Sequence, residues 1–282
     1  EFNEKALEIF HWQAKNIPIY KEYISSLELK SENINKIEKI PFLPIQFFKS
    51  RKVIEKGNAP EITFKSSGTT ETGRSQHFVA DLNLYQQSFT KGFEAAYGDI
   101  YNTCIIALLP NYQEQGDSSL IYMIDSLIEQ TGHSKSGFYL NEKNALLDTL
   151  SELKKSNTKT LLIGVTYALL DFIEKQKIDF SNLTVMETGG MKGRRKEIVR
   201  EELHEILCSG LGVSKIHSEY GMTELLSQAY SCGNGVFKTP SWMKILTREI
   251  SDPLSLCKEH KTGGINVIDL ANISSCCFIS TQ

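Results

Sequence analysis

Glu61-Ile62-Thr63-Phe64-Lys65-Ser66-Ser67-Gly68-Thr69-Thr70-Glu71-Thr72-Gly73-Arg74-Ser75-Gln76-His77-Phe78-Val79-Ala80-Asp81 is the stretch on which the fold turns. Its middle, Ser66 to Ser75, is a loop of small and polar residues. Small residues let backbone N–H groups and hydroxyls crowd around an anion such as a phosphate. Gly68-x4-Gly73-Arg74-Ser75 also matches a P-loop with Arg in the place of Lys. A P-loop must run straight into a helix, whose N-terminus supplies the dipole and the donors. Here Gln76 to Ala80 alternates like a strand, and the helix waits for Asp81. That Asp is a good N-cap for a helix carrying Tyr85, Phe89, Phe93 and Tyr97 on one face. Ile62-Thr63-Phe64 is strand-like as well, so the loop reads as the tip of a hairpin.

Downstream the rhythm is regular. Strands are expected at Thr103–Leu109, Gly137–Leu140, Thr160–Val165, Leu183–Glu187 and Lys215–Glu219. Between them lie helices bearing Leu120, Ile124 and Leu127 (capped by Asp117 or Ser118), then Leu146, Leu150 and Leu153, then Tyr167–Lys175, then Arg194–Leu207. Strands alternating with helices of this length imply crossover units and a mostly parallel sheet. From Leu225 the pattern changes to short strands and Gly/Pro turns, which suggests a smaller antiparallel or barrel-like unit. The first residues are helical, with Ala6, Ile9, Phe10 and Ala14 at helical spacing, and lead into the Pro-punctuated run Ile40 to Ile45. The fold class is therefore α/β: a helical region over 1–60, an α/β core of mostly parallel, helix-flanked strands over 61–224, and a β-rich subdomain over 225–282. In open parallel sheets ligands bind beyond the carboxyl ends of the strands. The loops there are Pro110–Gly116, Thr188–Gly193 and Tyr220–Glu224.

Composition narrows the function classes. With 40% hydrophobic residues in 282, there is material for one large domain or two ordinary ones. Lys plus Arg is 31 against 34 for Asp plus Glu, a balance that argues against nucleic-acid binding and against a polybasic membrane surface. The longest apolar stretches, Cys104–Leu109 and Leu161–Leu170, are too short for a transmembrane segment. Glu1, Glu4, Lys5 and Glu8 break up any signal-peptide core. Six cysteines, two of them adjacent at Cys276-Cys277, read as reduced thiols in a cytoplasmic globular protein. The chain opens at Glu1 without a methionine and stops just after the strand-like run Cys276–Ile279, so a further segment is expected beyond Gln282.

Three segments carry chemistry. The first is Ser66–Ser75. The second is Ser218-Glu219-Tyr220-Gly221-Met222-Thr223-Glu224, at the end of an expected strand. Tyr offers a flat face to a base, Gly permits close backbone approach, and Thr offers a hydroxyl to a phosphate. Glu is a hard oxygen ligand of the kind Mg²⁺ uses beside substrate phosphates. The third is Glu187-Thr188-Gly189-Gly190-Met191, whose paired glycines would floor a planar ring. Lys192-Gly193-Arg194-Arg195-Lys196 reads either as a solvated helix start or as a phosphate or CoA clamp. His11, His133, His204 and His260 share no spacing with cysteines or carboxylates that would suggest zinc, and His217 reads as a strand residue. Cys104, Cys276 and Cys277 sit in apolar runs as small hydrophobes, and Cys208, Cys232 and Cys257 lack an obvious activating base.

In this order the three segments resemble the adenylate-forming superfamily, which includes acyl-CoA synthetases, peptide-synthetase adenylation domains and firefly-type luciferases. Ser66-Ser67-Gly68-Thr69-Thr70 looks like its phosphate loop and Tyr220-Gly221-Met222-Thr223-Glu224 like its Tyr-Gly-x-Thr-Glu motif. The finer resemblance is to the acyl-protein synthetase family, the fatty-acid-activating ligases of bacterial bioluminescence and their relatives. It rests on the first motif with Ser75 and His77, on Leu109-Pro110-Asn111-Tyr112 with Ser118-Ser119-Leu120, on Glu187 to Arg195 and on Thr262-Gly263-Gly264-Ile265-Asn266, and spans about residues 40 to 282.

The resemblance implies that Ser66, Ser67, Gly68, Thr69 and Thr70 wrap the ATP phosphates. Gly189, Gly190 and Tyr220, with Ser218, Glu219 and Gly221 around them, would hold the adenine. Thr223 would touch the α-phosphate, Glu224 would hold Mg²⁺, and His77 would stand beside the phosphate loop. Tyr112 and Met191 would line the acyl pocket. The implied cofactors are ATP and Mg²⁺, with CoA as a further candidate. The implied partners are a carboxylic acid and a thiol, on an acyl-accepting protein, on the chain's own cysteine or on CoA. Two departures stand out. Arg74 or His77 must supply the charge the family often takes from a Lys, and Ser218 stands where many members have Asn or Asp. The family's ribose-binding Asp and mobile C-terminal domain would follow Gln282. A phenylacetate-type CoA ligase and a non-catalytic nucleotide- or acyl-binding remnant are the alternative readings.

Overall fold

The computed structural model describes residues 1–67, 73–111, 116–174, 183–189, 198–258 and 260–281. Two helices open the chain, α1 (Phe2–Asn16) and α2 (Pro18–Ser26), followed by a two-residue strand, β1 (Leu43–Pro44), and a single turn, α3 (Phe47–Ser50). Then come β2 (Ile62–Lys65), β3 (Gln76–Val79) and α4 (Leu82–Tyr97). The crossover region is β4 (Cys104–Leu108), α5 (Ser119–Thr131), β5 (Gly137–Phe138), α6 (Lys143–Lys155), β6 (Thr160–Val165), α7 (Thr166–Ile173), β7 (Leu183–Thr188), α8 (Arg200–Leu211) and β8 (Ile216–Tyr220). Four more strands follow: β9 (Ala229–Ser231), β10 (Met243–Arg248), β11 (Gly264–Asp269) and β12 (Phe278–Thr281).

The large sheet has the order β5-β4-β6-β7-β8-β9, parallel throughout except for β9, which runs antiparallel to β8. Every residue of β4 and β6 is buried. That is why both read as continuous apolar runs rather than alternating ones. β2 and β3 form the expected antiparallel hairpin, with Lys65 opposite Gln76 at the end that carries the loop. The Asp81 side chain accepts from the N–H of Leu84 at 2.9 Å, which starts α4 where the cap requires it. Tyr85 and Phe89 of that helix pack edge-on, and Phe64 of β2 stands against Tyr85.

Of the two expected caps, Ser118 is the one that starts α5. Two local expectations shift. The charged helix expected over Arg194–Leu207 begins at Arg200, because Val199 is extended, and it ends at Gly212 in the left-handed region. Within that helix Gly210 is a contact glycine: a Cβ there would lie 2.7 Å from Ile173 Cδ1. The strand expected at Gly137–Leu140 covers Gly137–Phe138.

A second sheet has the order β1-β12-β11-β10 and joins the two ends of the chain: Leu43 pairs with Ile279 in parallel, while β11 runs antiparallel to both β10 and β12. Its core is drawn from α1, α2 and residues 34–53 on one side of the sequence and from residues 225–279 on the other. Phe278 sits at its centre, with its ring about 6 Å from those of Phe10, Tyr20 and Phe42. The seam between the two cores passes through consecutive residues, since Leu225 belongs to the second core and Leu226 to the first. The segment that leaves β8 is therefore clamped between both. Among the described residues no helix is long and apolar enough to cross a membrane.

Candidate active site

The carboxyl ends of β7 and β8 deliver Thr188–Gly189 and Tyr220–Glu224 to one edge of the large sheet. The hairpin is tied to the same edge. Lys65 N–H donates to the Asp117 carbonyl at 2.7 Å, just ahead of α5. The Arg74 guanidinium grips the Asp117 carboxylate with two bonds, 2.8 Å from Nη1 to Oδ2 and 3.1 Å from Nη2 to Oδ1. Its Nε donates to the Ser66 carbonyl. A bidentate pair of this kind fixes geometry as well as charge. Arg74 is thus committed to holding the hairpin's base rather than free to supply the charge expected of it. At that base Ser75 N–H donates to Ser66 Oγ and Ser66 N–H to the Ser75 carbonyl, both at 3.0 Å.

Glu224 meets this base. Its carboxyl accepts from the Ser75 side chain, and burial pushes its pKa above the ordinary range against that bond and the charge of Lys49. Ser75 and Glu224 are both buried, and 149 positions of sequence separate them (224 − 75). Thr223 is half-buried beside it. His77 is wholly buried, so that its ring faces the protein's interior. Its Nδ1–H donates to the Thr223 carbonyl at 2.8 Å, and Nε2 stands 3.0 Å from Oδ1 of Asn272. Burial lowers its pKa to about 4, outweighing both bonds.

The second cluster lies around Gly189. The Thr166 hydroxyl donates to the Gly189 carbonyl at 2.9 Å, and Gly189 takes a φ of 60°, which glycine reaches without strain. Tyr220 is half-buried, its ring edge-on to Phe237 at 6.2 Å, with burial raising its pKa. Glu219 turns inward instead of facing the edge, and accepts from the Thr188 hydroxyl at 2.5 Å. Burial pushes its pKa up to about 7, with Glu187 adding to the rise and the Thr188 bond opposing it. A Cβ at Gly221 would meet Glu219 Oε1, so the two residues pack closely there. Ser218 is fully buried, and its Oγ has no hydrogen-bond partner among the described residues. Glu187, its neighbour across the sheet, lies 3.6 Å from His204 and 3.8 Å from Arg200.

Of the residues chosen from sequence, the structure brings Ser66, His77, Thr223 and Glu224 into one cluster, and Gly189, Ser218, Glu219, Tyr220 and Gly221 onto the adjoining strand ends. Ser67 follows Ser66 at the hairpin mouth. Gly68, Thr69, Thr70, Tyr112, Gly190 and Met191 lie outside the described residues. Sequence reading missed Asp269 and Asn272. Asp269 is wholly buried and accepts from the N–H groups of Leu226 (2.8 Å) and Ser227 (3.0 Å) and from the Ser227 hydroxyl (2.6 Å). Asp-Leu-Ala-Asn after a strand reads as an ordinary turn, and nothing local marks its reach to Glu224.

No protein-family profile matches the chain, and no curated protein matches it. Solved structures do. A long-chain-fatty-acid-CoA ligase from Archaeoglobus fulgidus superposes with a TM-score of 0.52 at 16% identity, over 77% of this chain and 42% of its own. The adenylation–carrier protein McyG A-PCP, complexed with phenylalanyl-adenylate, gives 0.54 at 11% identity, over 82% and 45%. The luciferase-like enzyme of the mealworm Zophobas morio gives 0.51 at 14%, over 79% and 50%. The chain has the fold of adenylate-forming enzymes. At these identities the likeness is one of architecture, and the chain spans half or less of each neighbour's length. The α/β reading of the sequence holds.

Proposed function

We propose that this protein activates a carboxylic acid with ATP, forming an acyl-adenylate and pyrophosphate, and that the acyl group then passes to a thiol. What supports the reading most is the meeting of Glu224 with the base of the Ser66–Ser75 hairpin, across 149 residues of sequence. An anion-binding loop and a buried hard-oxygen ligand at the carboxyl edge of a parallel sheet suit a nucleoside triphosphate. The carboxylate nucleophile is already an anion, so no general base is needed. Catalysis would be positioning and charge neutralisation at the α-phosphorus. That matches a site in which His77 is buried and bonded to the backbone.

The residues present fit Mg²⁺. Mg²⁺ uses one or two protein carboxylates and completes its shell with phosphates and water, and a carboxylate held in a buried site gains from a neighbouring cation. Glu224 would hold the ion, which would neutralise charge on the phosphates. Thr223 would face the α-phosphate, Ser66 and Ser67 the β- and γ-phosphates, and Tyr220 with Gly189 the base. In this reading residues 61–224 form the adenylation core, with 1–60 and 225–282 completing it. A fatty acyl group and a protein cysteine are the preferred substrate and acceptor, on the finer motifs of the sequence.

Carboxylate-dependent ATP–pyrophosphate exchange tests this, with acids from acetate to myristate plus phenylacetate. Exchange with one class of acid, lost in Glu224→Ala, is the expected result. Absence of exchange with every acid, from a protein that binds ATP, would overturn the reading in favour of a binding module.

A further inference from the structure

The Thr223–Glu224 backbone is held by side chains that reach it from far along the chain. His77 donates to the Thr223 carbonyl at 2.8 Å from 146 positions away. Asn272 Nδ2 donates to the Glu224 carbonyl at 2.8 Å from 48 positions away, and to the Cys276 carbonyl at 3.0 Å. The carbonyl of Thr223 lies in the rigid peptide plane just before Glu224 Cα, and the carbonyl of Glu224 in the plane just after it. Fixing both planes fixes φ and ψ of Glu224, and with them the direction of its Cα–Cβ bond. Two residues on, Asp269 grips the N–H groups of Leu226 and Ser227.

Asn272 is itself immobilised. Its N–H donates to the Asp269 carbonyl at 3.0 Å, and its carbonyl accepts from Gln13 at 3.1 Å. Gln13, His77, Asp269 and Asn272 are all at least 99% buried. A connecting loop needs no such apparatus, since loop carbonyls are ordinarily met by water at the surface. Buried donors convert this stretch into a fixed bracket around one carboxylate.

Resting on the adenylation reading, we infer that Asn272 and His77 are positioning residues, which aim the Glu224 carboxylate at the hairpin's phosphate-facing side by setting the two peptide planes that flank it. The role is geometric, with no proton transferred. Removing either donor frees one plane and lets Glu224 wander. Outer hydrogen bonds of this kind are typically worth about 10–100-fold in metal affinity or activity.

The test compares wild type with Asn272→Ala, His77→Leu, His77→Gln and Tyr20→Phe. Tyr20→Phe removes a buried bond in the second core, from Tyr20 to the Pro41 carbonyl at 2.7 Å, without touching this segment. ATP binding is titrated with and without Mg²⁺, alongside thermal unfolding and the exchange assay. Mg²⁺ should tighten ATP binding about 10-fold less in Asn272→Ala and His77→Leu than in wild type. His77→Gln keeps a donor for the Thr223 carbonyl and should stay near wild type. Tyr20→Phe should lower the unfolding midpoint and leave the Mg²⁺ factor alone. A wild-type Mg²⁺ factor in folded Asn272→Ala and His77→Leu overturns the inference, as does an equal loss in Tyr20→Phe. If Asn272→Ala does not fold, His77→Leu decides. A wild type that neither binds ATP nor catalyses exchange refutes the functional reading itself, and the positioning role falls with it.

Discussion

Replacing Glu219 by Gln should make the protein more stable, and only above a defined pH. The Glu219 carboxyl is 9% exposed, and its pKa rises from the ordinary 4.5 to about 7 because burial penalises the charged form. Between those two values the folded protein binds more protons than the unfolded chain, so stability falls as pH rises. The contribution is fully present below 4.5 and lost as pH passes through 7. At 1.36 kcal/mol for each pH unit, the interval corresponds to about 3 kcal/mol. Gln can still accept from Thr188 and cannot ionise. The difference in unfolding free energy between Glu219→Gln and wild type should therefore climb by about 3 kcal/mol from about pH 4.5 to about pH 8 and then level off. Any fixed cost of the new amide shifts the whole curve without changing its slope. His77 and His217, each lowered to about 4 by burial, favour the folded state as pH rises toward 6.5, but they are common to both proteins and cancel. Urea denaturation at half a dozen pH values across this range gives the difference directly. Parallel curves would mean that Glu219 titrates as an ordinary carboxylate, and the burial argument would be refuted.

Phe278→Ala opens a hole where the rings of Phe10, Tyr20 and Phe42 converge, and should cost about 3–5 kcal/mol of unfolding free energy in urea. A loss below about 1 kcal/mol would show that this core collapses around the gap. Gly210→Ala pits a helix-propensity gain of about 1 kcal/mol against a Cβ lying 2.7 and 2.8 Å from Ile173 Cδ1 and Cβ. Overpacking of about 1–3 kcal/mol should win, and a higher melting temperature would show the helix free to shift.

Much of the large sheet was legible because its physics is local. Cys104 to Leu108 and Thr160 to Val165 are buried on both faces and say so in unbroken apolar runs. The hairpin was legible because His77 and Val79 are buried while Gln76 and Phe78 are not, an alternation that excludes a helix directly after Gly73. What stayed hidden depends on partners distant in sequence. Leu43–Pro44 has no strand signature of its own, and it becomes a strand because Ile279 and Ser280 lie beside it. Arg74 reads as a phosphate ligand until Asp117 is seen to hold it. Glu219 reads as part of a polar ligand-facing motif, yet the pleat sends it inward to Thr188. α8 runs on past Leu207, where the sequence pattern ended it, to Leu211. Gly210 serves the contact with Ile173, and Gly212 the left-handed cap.

The pairing of the chain's two ends bears on how the protein is made. Gln13 must find Asn272, 259 residues later. At translation rates of about 5–20 residues per second, that wait is on the order of 10–50 s. Throughout it, Phe10, Tyr20, Phe42 and Phe48, all buried in the finished molecule, have none of their late-arriving neighbours. The large sheet can close as soon as residues up to 231 have emerged. A nascent chain halted between there and Asn272 would carry a finished sheet, an adhesive N-terminal surface and a Glu224 with one peptide plane unsecured. The surface exposed in that interval is built from residues 10–48, whose apolar side chains wait for residues 225–279.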